Sequence, residues 1–147
     1  MPEKIKLKYE ELSLMSLFQS ISGAMARDCV IDDKMDRVIF IVNKGEMGLA
    51  IGKSGQSIKN VQNAIGKMVE LVEYSDDPRE FISNALDPKL VADIRLSEKV
   101  DGTKIATVLV DQRKKGAIVG RNGRNAEKAR LLAKRYFEIG NIHIIQA

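Results

Sequence analysis

The sequence predicts an α+β protein built from two copies of one small unit, each with the element order α-β-β-α-α-β. Three observations carry this. A Gly-x-x-Gly run occurs twice, as Gly52-Lys53-Ser54-Gly55 and Gly120-Arg121-Asn122-Gly123. At the same offset of 68 residues, without a gap, Val42 falls on Val110, Gly48 on Gly116, Ala50-Ile51 on Ile118-Val119, and Val61 and Ile65 on Ala129 and Ala133. Between the copies lies Ser75-Asp76-Asp77-Pro78, polar and helix-breaking. The expected domains are therefore residues 1–76 and 77–147, each of about 70 residues, a size at which small domains fold.

In the first copy, Leu14, Leu17, Phe18, Ile21 and Met25 recur at three- and four-residue steps and predict an amphipathic helix, its last turn weakened by Gly23. Cys29–Ile31 and Val38–Val42 read as strands joined by a turn at Asp32-Asp33-Lys34. A short helix over Glu46–Ile51 runs into the first glycine loop. A second helix follows from Gln56 to Ile65, with Ile58, Val61 and Ile65 on one face and Gly66 as its stop. Met68–Val72 reads as the closing strand. In the second copy a helix is expected over Arg79–Leu86, then strands Val91–Leu96 and Ile105–Val110 around Asp101-Gly102. A short helix leads to Gly120, and a long one spans Arg124–Phe137. Gly140 is expected to end that helix before the strand Ile142–Ile145.

Composition narrows the function classes. Apolar residues make up 44% and aromatic residues 5%, with no tryptophan, so the core must be mainly aliphatic. No apolar run approaches the ~18 residues of a membrane span. Glu10 and Glu11 precede the first apolar stretch and no cleavage pattern follows, which is unlike a signal peptide. A single cysteine cannot form an internal disulfide and fits a reducing compartment. The expectation is a soluble, cytoplasmic protein. Charge is uneven: residues 1–76 hold 10 Lys/Arg against 11 Asp/Glu, whereas residues 77–147 hold 14 against 9. Over 112–135, nine cations, Arg113-Lys114-Lys115 among them, face only Glu127. Clustered positive charge is the footprint of a polyanionic partner, or else a solvated helix face.

The glycine loops favour the polyanion. Glycine opens backbone angles closed to other residues and lets a ligand approach without a Cβ in the way. The helix after each loop begins with unpaired N–H groups and partial positive charge, which suit a phosphate. Lys53 and Arg121 lie inside the loops, and Lys59, Arg124 and Lys128 just after them. An apolar groove beside each loop is available for bases. One Gly-x-x-Gly is a weak signal; two in register, each between short helices, are a strong one.

The runs Ala50-Ile51-Gly52-Lys53-Ser54-Gly55-Gln56-Ser57-Ile58 and Ile118-Val119-Gly120-Arg121-Asn122-Gly123 resemble the KH-domain signature, and the element order resembles the prokaryotic, type II form. More closely, the chain resembles archaeal NusA-like transcription termination/antitermination factors, which consist of little more than two KH domains. Asp28–Asp33, Gly45–Lys53 and Ser75–Ile82 carry that match, and it covers nearly all 147 residues. The resemblance implies helices packed on one face of a three-stranded mixed sheet in each domain. It also implies single-stranded RNA binding coupled to transcription, at about four nucleotides per domain. The implied RNA-contacting residues are Gly48, Ile51, Gly52, Lys53, Ser54, Gly55 and Lys59 in the first domain. In the second they are Gly116, Val119, Gly120, Arg121, Asn122, Gly123, Arg124 and Lys128. No cofactor, metal, membrane or small-molecule substrate is implied. Bacterial relatives carry an N-terminal polymerase-binding domain and an S1 domain, neither of which is expected here, which argues against direct polymerase contact; RNA polymerase or other transcription factors stay as candidate partners beside RNA. Ala126 stands where the first copy has Ile58, which predicts a second groove that is roomier or packed differently.

Two other function classes compete with this one. A nucleotide-hydrolysing enzyme would need a glycine five residues before Gly52, and that position is Met47. The repeat also explains Val108-Leu109-Val110-Asp111 as the counterpart of the first copy's second strand. Cys29 and His143, each the sole residue of its type, read as structural, and Asp32, Asp33 and Asp36 as a turn lacking calcium-loop spacing. The alternative is an assembly module whose KH domains bind protein. Degenerate KH domains that do so typically have lost or acidic loops, whereas both loops here are intact and free of carboxylates.

Overall fold

The computed structural model describes residue 5 and residues 7–146. The remaining residues of the expected domains lie outside the described ones. Two compact units separate between Tyr74 and Ser75, one over Lys6–Tyr74 and one taking in Ser75–Ala147.

The first unit consists of α1 (Tyr9–Ser22), β1 (Ala26–Asp32), β2 (Arg37–Val42), α2 (Met47–Ile51), α3 (Gln56–Ile65) and β3 (Met68–Glu73). β2 is central, antiparallel to β1 and parallel to β3, a three-stranded mixed sheet. Alternation along β2 sends Val38, Phe40 and Val42 to one face. There they form a core with Phe18 of α1, Cys29 of β1, Ala50 of α2 and Val61 of α3. Phe18 stacks on Phe40 with ring centroids 4.5 Å apart. Gly23 does more than weaken α1: it terminates it. In the left-handed region at φ 77°, its N–H donates to the Gln19 carbonyl at 2.8 Å. The buried Ser22 hydroxyl completes the stop, donating to the Phe18 carbonyl and accepting from the Ala24 N–H. Met25 therefore lies beyond the helix and is exposed, not part of the apolar stripe.

The sequence reading missed the buried Arg37. Its side chain has no solvent exposure and lies between two carboxylates, with Nε 2.8 Å from Asp32 Oδ2 and Nη1 2.9 Å from Glu70 Oε2. Asp32 accordingly ends β1 instead of opening the turn, which runs over residues 33–36. Asp32 Oδ1 accepts the Met35 N–H across that turn.

The second unit repeats the order with α4 (Pro78–Leu86), β4 (Val91–Glu98), β5 (Lys104–Val110), α5 (Lys115–Val119), α6 (Arg124–Phe137) and β6 (Ile139–Gln146). β5 is central, antiparallel to β4 and parallel to β6. Asp77 caps α4 by accepting the Arg79 N–H at 3.0 Å, with Pro78 at the first helical position. Phe81 of α4 meets Tyr136 and Phe137 of α6 edge to face, at centroid distances of 5.2 and 5.7 Å. Gly140 does not end α6. The helix closes at Glu138, which is left-handed at φ 56°, and Gly140 lies within β6. There the pairing passes from Lys104↔Ile139 to Ile105↔Asn141, so Gly140 is the extra residue of a bulge. A Cβ at that point would come 2.9 Å from Thr103 Cγ2, so this glycine allows a close strand approach.

Three of the four outer strands, β1, β4 and β6, share one local device. Asp28, Asp93 and Asn141 each accept the N–H of the following residue through the side-chain Oδ1, at 2.8 to 2.9 Å. An edge N–H is thus satisfied from within its own strand, which makes it a poorer template for pairing with another chain.

Candidate nucleic-acid interface

In each unit a five-residue helix leaves the central strand and ends at the first glycine of the loop. Gly52 has φ 77° and ψ 172°, and Gly120 has φ 83° and ψ 167°, a region essentially reserved for glycine. The third loop residues are left-handed, Ser54 at φ 55°, ψ 29° and Asn122 at φ 57°, ψ 26°. Gly55 and Gly123 follow at φ 74° with ψ of 16° and 15°. The two loops therefore share one backbone conformation although only their glycines are identical. Gly52 N–H donates to the Gly48 carbonyl and Gly120 N–H to the Gly116 carbonyl, while Gly55 and Gly123 close back on Gly52 and Gly120.

The first loop glycine lies against the next helix. A Cβ on Gly52 would strike the Ser57 side chain and come 2.7 Å from the Ser57 backbone nitrogen; one on Gly120 would come 3.0 Å from the Asn125 nitrogen. Each following helix begins at a glycine that provides no side-chain cap. Its first N–H, of Gln56 or Arg124, donates to the Lys53 or Arg121 carbonyl within the loop, and the N–H groups after it have no side-chain acceptor from the cap. The aligned peptide dipoles add partial positive charge at the same point.

Lys53, Ser54 and Lys59 are exposed around the first loop, as are Arg121 and Asn122 in the second. Gly48 and Gly116 lie on the open side of the short helices, Ile51 is exposed, and Val119 and Arg124 are half-buried. Lys128 is different: it is buried on α6. Ala126 is buried where Ile58 is half-buried. Sequence reasoning left three residues of this region unassigned: Leu49, exposed on α2, and Arg113 and Lys114, exposed before α5. The offset of 68 pairs them with Ala117, Gly45 and Glu46, a difference in residue type visible in the sequence, while their exposure is not. Asp111 accepts the Arg113 N–H at 3.0 Å. That bond, then the Arg113 side chain, holds the Asp111 carboxyl below the usual aspartate range.

Other chemistry finds no such assembly. The helix α2 intervenes between β2 and Gly52, where a nucleotide-binding loop would join strand to helix directly. Cys29 is buried in the first unit, and His143 is exposed on β6 of the second. Among the described residues no group of three or more His, Cys, Asp or Glu side chains could hold a metal. Among those residues, too, no helix is long and apolar enough to cross a membrane.

Comparison with known proteins agrees with this geometry. The KH-domain family profile matches residues 14–102, most of the first unit and the start of the second. A protein of Halococcus morrhuae named probable transcription termination protein NusA is 38% identical over 141 residues, covering 96% of this chain and 99% of that one. One of the same name from Methanocaldococcus jannaschii is 35% identical over 142 residues, 97% of this chain and 76% of that one. The crystal structure of APE1850 superposes with a TM-score of 0.84 at 36% identity, covering 95% of this chain and 100% of the other. The chain belongs to the KH-domain family and, within it, to the archaeal NusA-like proteins.

Proposed function

We propose that the chain binds single-stranded RNA without catalysis, in the cytoplasm, and acts in transcription termination or antitermination. The repeats, divided at residues 76 and 77, each hold the RNA backbone through a Gly-x-x-Gly loop. Gly52–Gly55 and Gly120–Gly123 approach the phosphates, Lys53 and Arg121 supply charge, and Ile51 and Val119 flank the bases. Lys59 and Arg124 extend the basic track, and Gly48 and Gly116 keep the surface before each loop low. Lys128 contributes to this field from a buried position. RNA polymerase and other transcription factors are the further partners in this reading.

The observation that carries the proposal is the matched pair of loops. Two stretches with different side chains hold the same strained backbone, each against an uncapped helix start and each with an exposed cation. Keeping such a conformation twice has a physical reason if the backbone itself meets the ligand. The test is binding of the purified chain to a single-stranded RNA of about twelve nucleotides and to the same sequence as a duplex. Preference for the single strand is expected, and addition to a reconstituted archaeal transcription reaction should change the yield of terminated transcript. Equal binding to duplex, or no binding, contradicts the RNA reading; binding without any change in termination contradicts the transcriptional part.

A further inference from the structure

We propose that the two glycine-loop sites divide the work, the first discriminating bases through Leu49 and Ile51 and the second gripping the backbone through Arg113 and Lys114. This rests on the RNA-binding reading above and assigns the two repeats unlike roles within it.

The short helices α2 and α5 correspond residue by residue, and each buries one side chain in its core, Ala50 and Ile118 respectively. Their outward positions differ. Leu49 is 56% exposed and Ile51 40% exposed, whereas the matching residues are Ala117, a single methyl, and Val119, which is half-buried. The first site therefore offers a broad aliphatic surface next to its loop, while the second offers little. Apolar surface that stays exposed beside a binding loop gains by being covered by a base, and its shape favours some bases over others.

Charge is distributed the opposite way. Arg113 and Lys114 stand where the first unit has Gly45 and Glu46. Glu46 accepts the Met25 N–H at 3.1 Å, and Glu73 accepts the Gly45 N–H at 3.4 Å, so two carboxylates are fixed beside the start of α2. The partner of Val42 in the first sheet is Glu73, and that of Val110 in the second is the neutral Gln146. At the start of the second site stands the carboxylate of Asp111, whose Oδ2 is 3.5 Å from the Arg113 guanidinium and which also feels the charge of Lys114, one carboxylate set against two cations. Lys114 and Arg113 precede α5, six and seven residues before Gly120, so at 1.5 Å per residue their backbone lies roughly 9–11 Å from the loop. A strand held in that loop passes within reach of them, whereas at the first site it meets Glu46 and Glu73 there, with Lys44 beside them.

The experiment uses the full chain with three single-stranded RNA twelve-mers, oligo(A), oligo(C) and oligo(U), each titrated at several salt concentrations. Leu49→Ala/Ile51→Ala should compress the spread of affinities among the three by roughly tenfold, with the salt dependence unchanged. Arg113→Gln/Lys114→Gln should weaken all three equally and flatten the slope of log affinity against log salt by ~1.4, at ~0.7 for each phosphate no longer neutralised. All four positions are surface ones, and unchanged circular dichroism verifies folding. Equal effects of both variants on spread and slope, reversed effects, or no spread in the parent protein would overturn the division. A double-loop variant, Lys53→Asp/Ser54→Asp with Arg121→Asp/Asn122→Asp, separates the two levels. If it alone abolishes binding, the RNA reading stands and the division fails; if it too binds as the parent does, the RNA reading itself fails.

Discussion

Replacing Gly52 by alanine tests whether the loop is held by packing as well as by backbone freedom. Two costs add at this position. The backbone lies at φ 77°, ψ 172°, where a residue with a Cβ is strained by ~1–3 kcal/mol. The new methyl would also sit 2.7 Å from the Ser57 backbone nitrogen, and relieving such overpacking costs another ~1–3 kcal/mol. Alanine restricts the unfolded chain and returns ~0.4–1 kcal/mol. The net expectation for Gly52→Ala is a destabilisation of about 1–5.5 kcal/mol. Gly55→Ala faces only the left-handed penalty of ~1–2 kcal/mol, less the same unfolded-state gain, because its nearest neighbour is Ile58 Cγ2 at 4.0 Å. Gly120→Ala should fall between them, since its closest backbone contact is 3.0 Å. Urea unfolding followed by circular dichroism, with hydrogen exchange of the α3 and α6 amides to assign each loss to its unit, gives the series. The reasoning is refuted if Gly55→Ala is as destabilising as Gly52→Ala.

Two further outcomes follow from the surrounding structure. Arg37→Met removes the cation between Asp32 and Glu70 and leaves two carboxylates in a poorly solvated place, so stability should fall by ~3–5 kcal/mol. A urea midpoint equal to that of the parent would show the network to be dispensable. Asp111 should titrate below the ordinary aspartate range because the Arg113 N–H, then the Arg113 side chain, favours its charged form. A depressed folded-state pKa means that this contribution is present above the unfolded value of ~3.9 and is lost as pH falls through the folded one. Carboxyl-carbon NMR titration measures this directly, and an ordinary midpoint would contradict it.

Much of the fold was legible because its signals are local. Both long loop-following helices, Gln56–Ile65 and Arg124–Phe137, were bounded correctly from the preceding glycine loop and the apolar period. The central strands were found to within one residue, as short apolar runs between turns. What escaped depended on pairing between distant segments. Arg37 fell just outside the strand Val38–Val42 read from the sequence, and its partners lie five and 33 residues away, so only the β1–β2–β3 register brings them together. Gly140 follows a helix and invited the reading of a stop, yet its role comes from Thr103 on the neighbouring strand segment. Lys128 was counted with the loop cations because it belongs to a basic run. It stands four residues before Leu132, however, and so shares the buried stripe of α6. The glycine loops were legible because their conformation is written in residue type, whereas the contrast between Leu49 and Ala117 gains meaning only once burial is known.

The central claim is that the two loops hold RNA by its backbone. Asp-Asp at positions 53–54 and 121–122 together reverses charge where the phosphates are expected. Asp tolerates the left-handed angles that Ser54 and Asn122 adopt, so the loops should keep their shape. With the circular dichroism spectrum and urea midpoint unchanged, affinity for a single-stranded RNA twelve-mer should fall at least about a hundredfold, the equivalent of one or two charge-assisted hydrogen bonds per molecule. Parent-like affinity in that folded variant would contradict the claim.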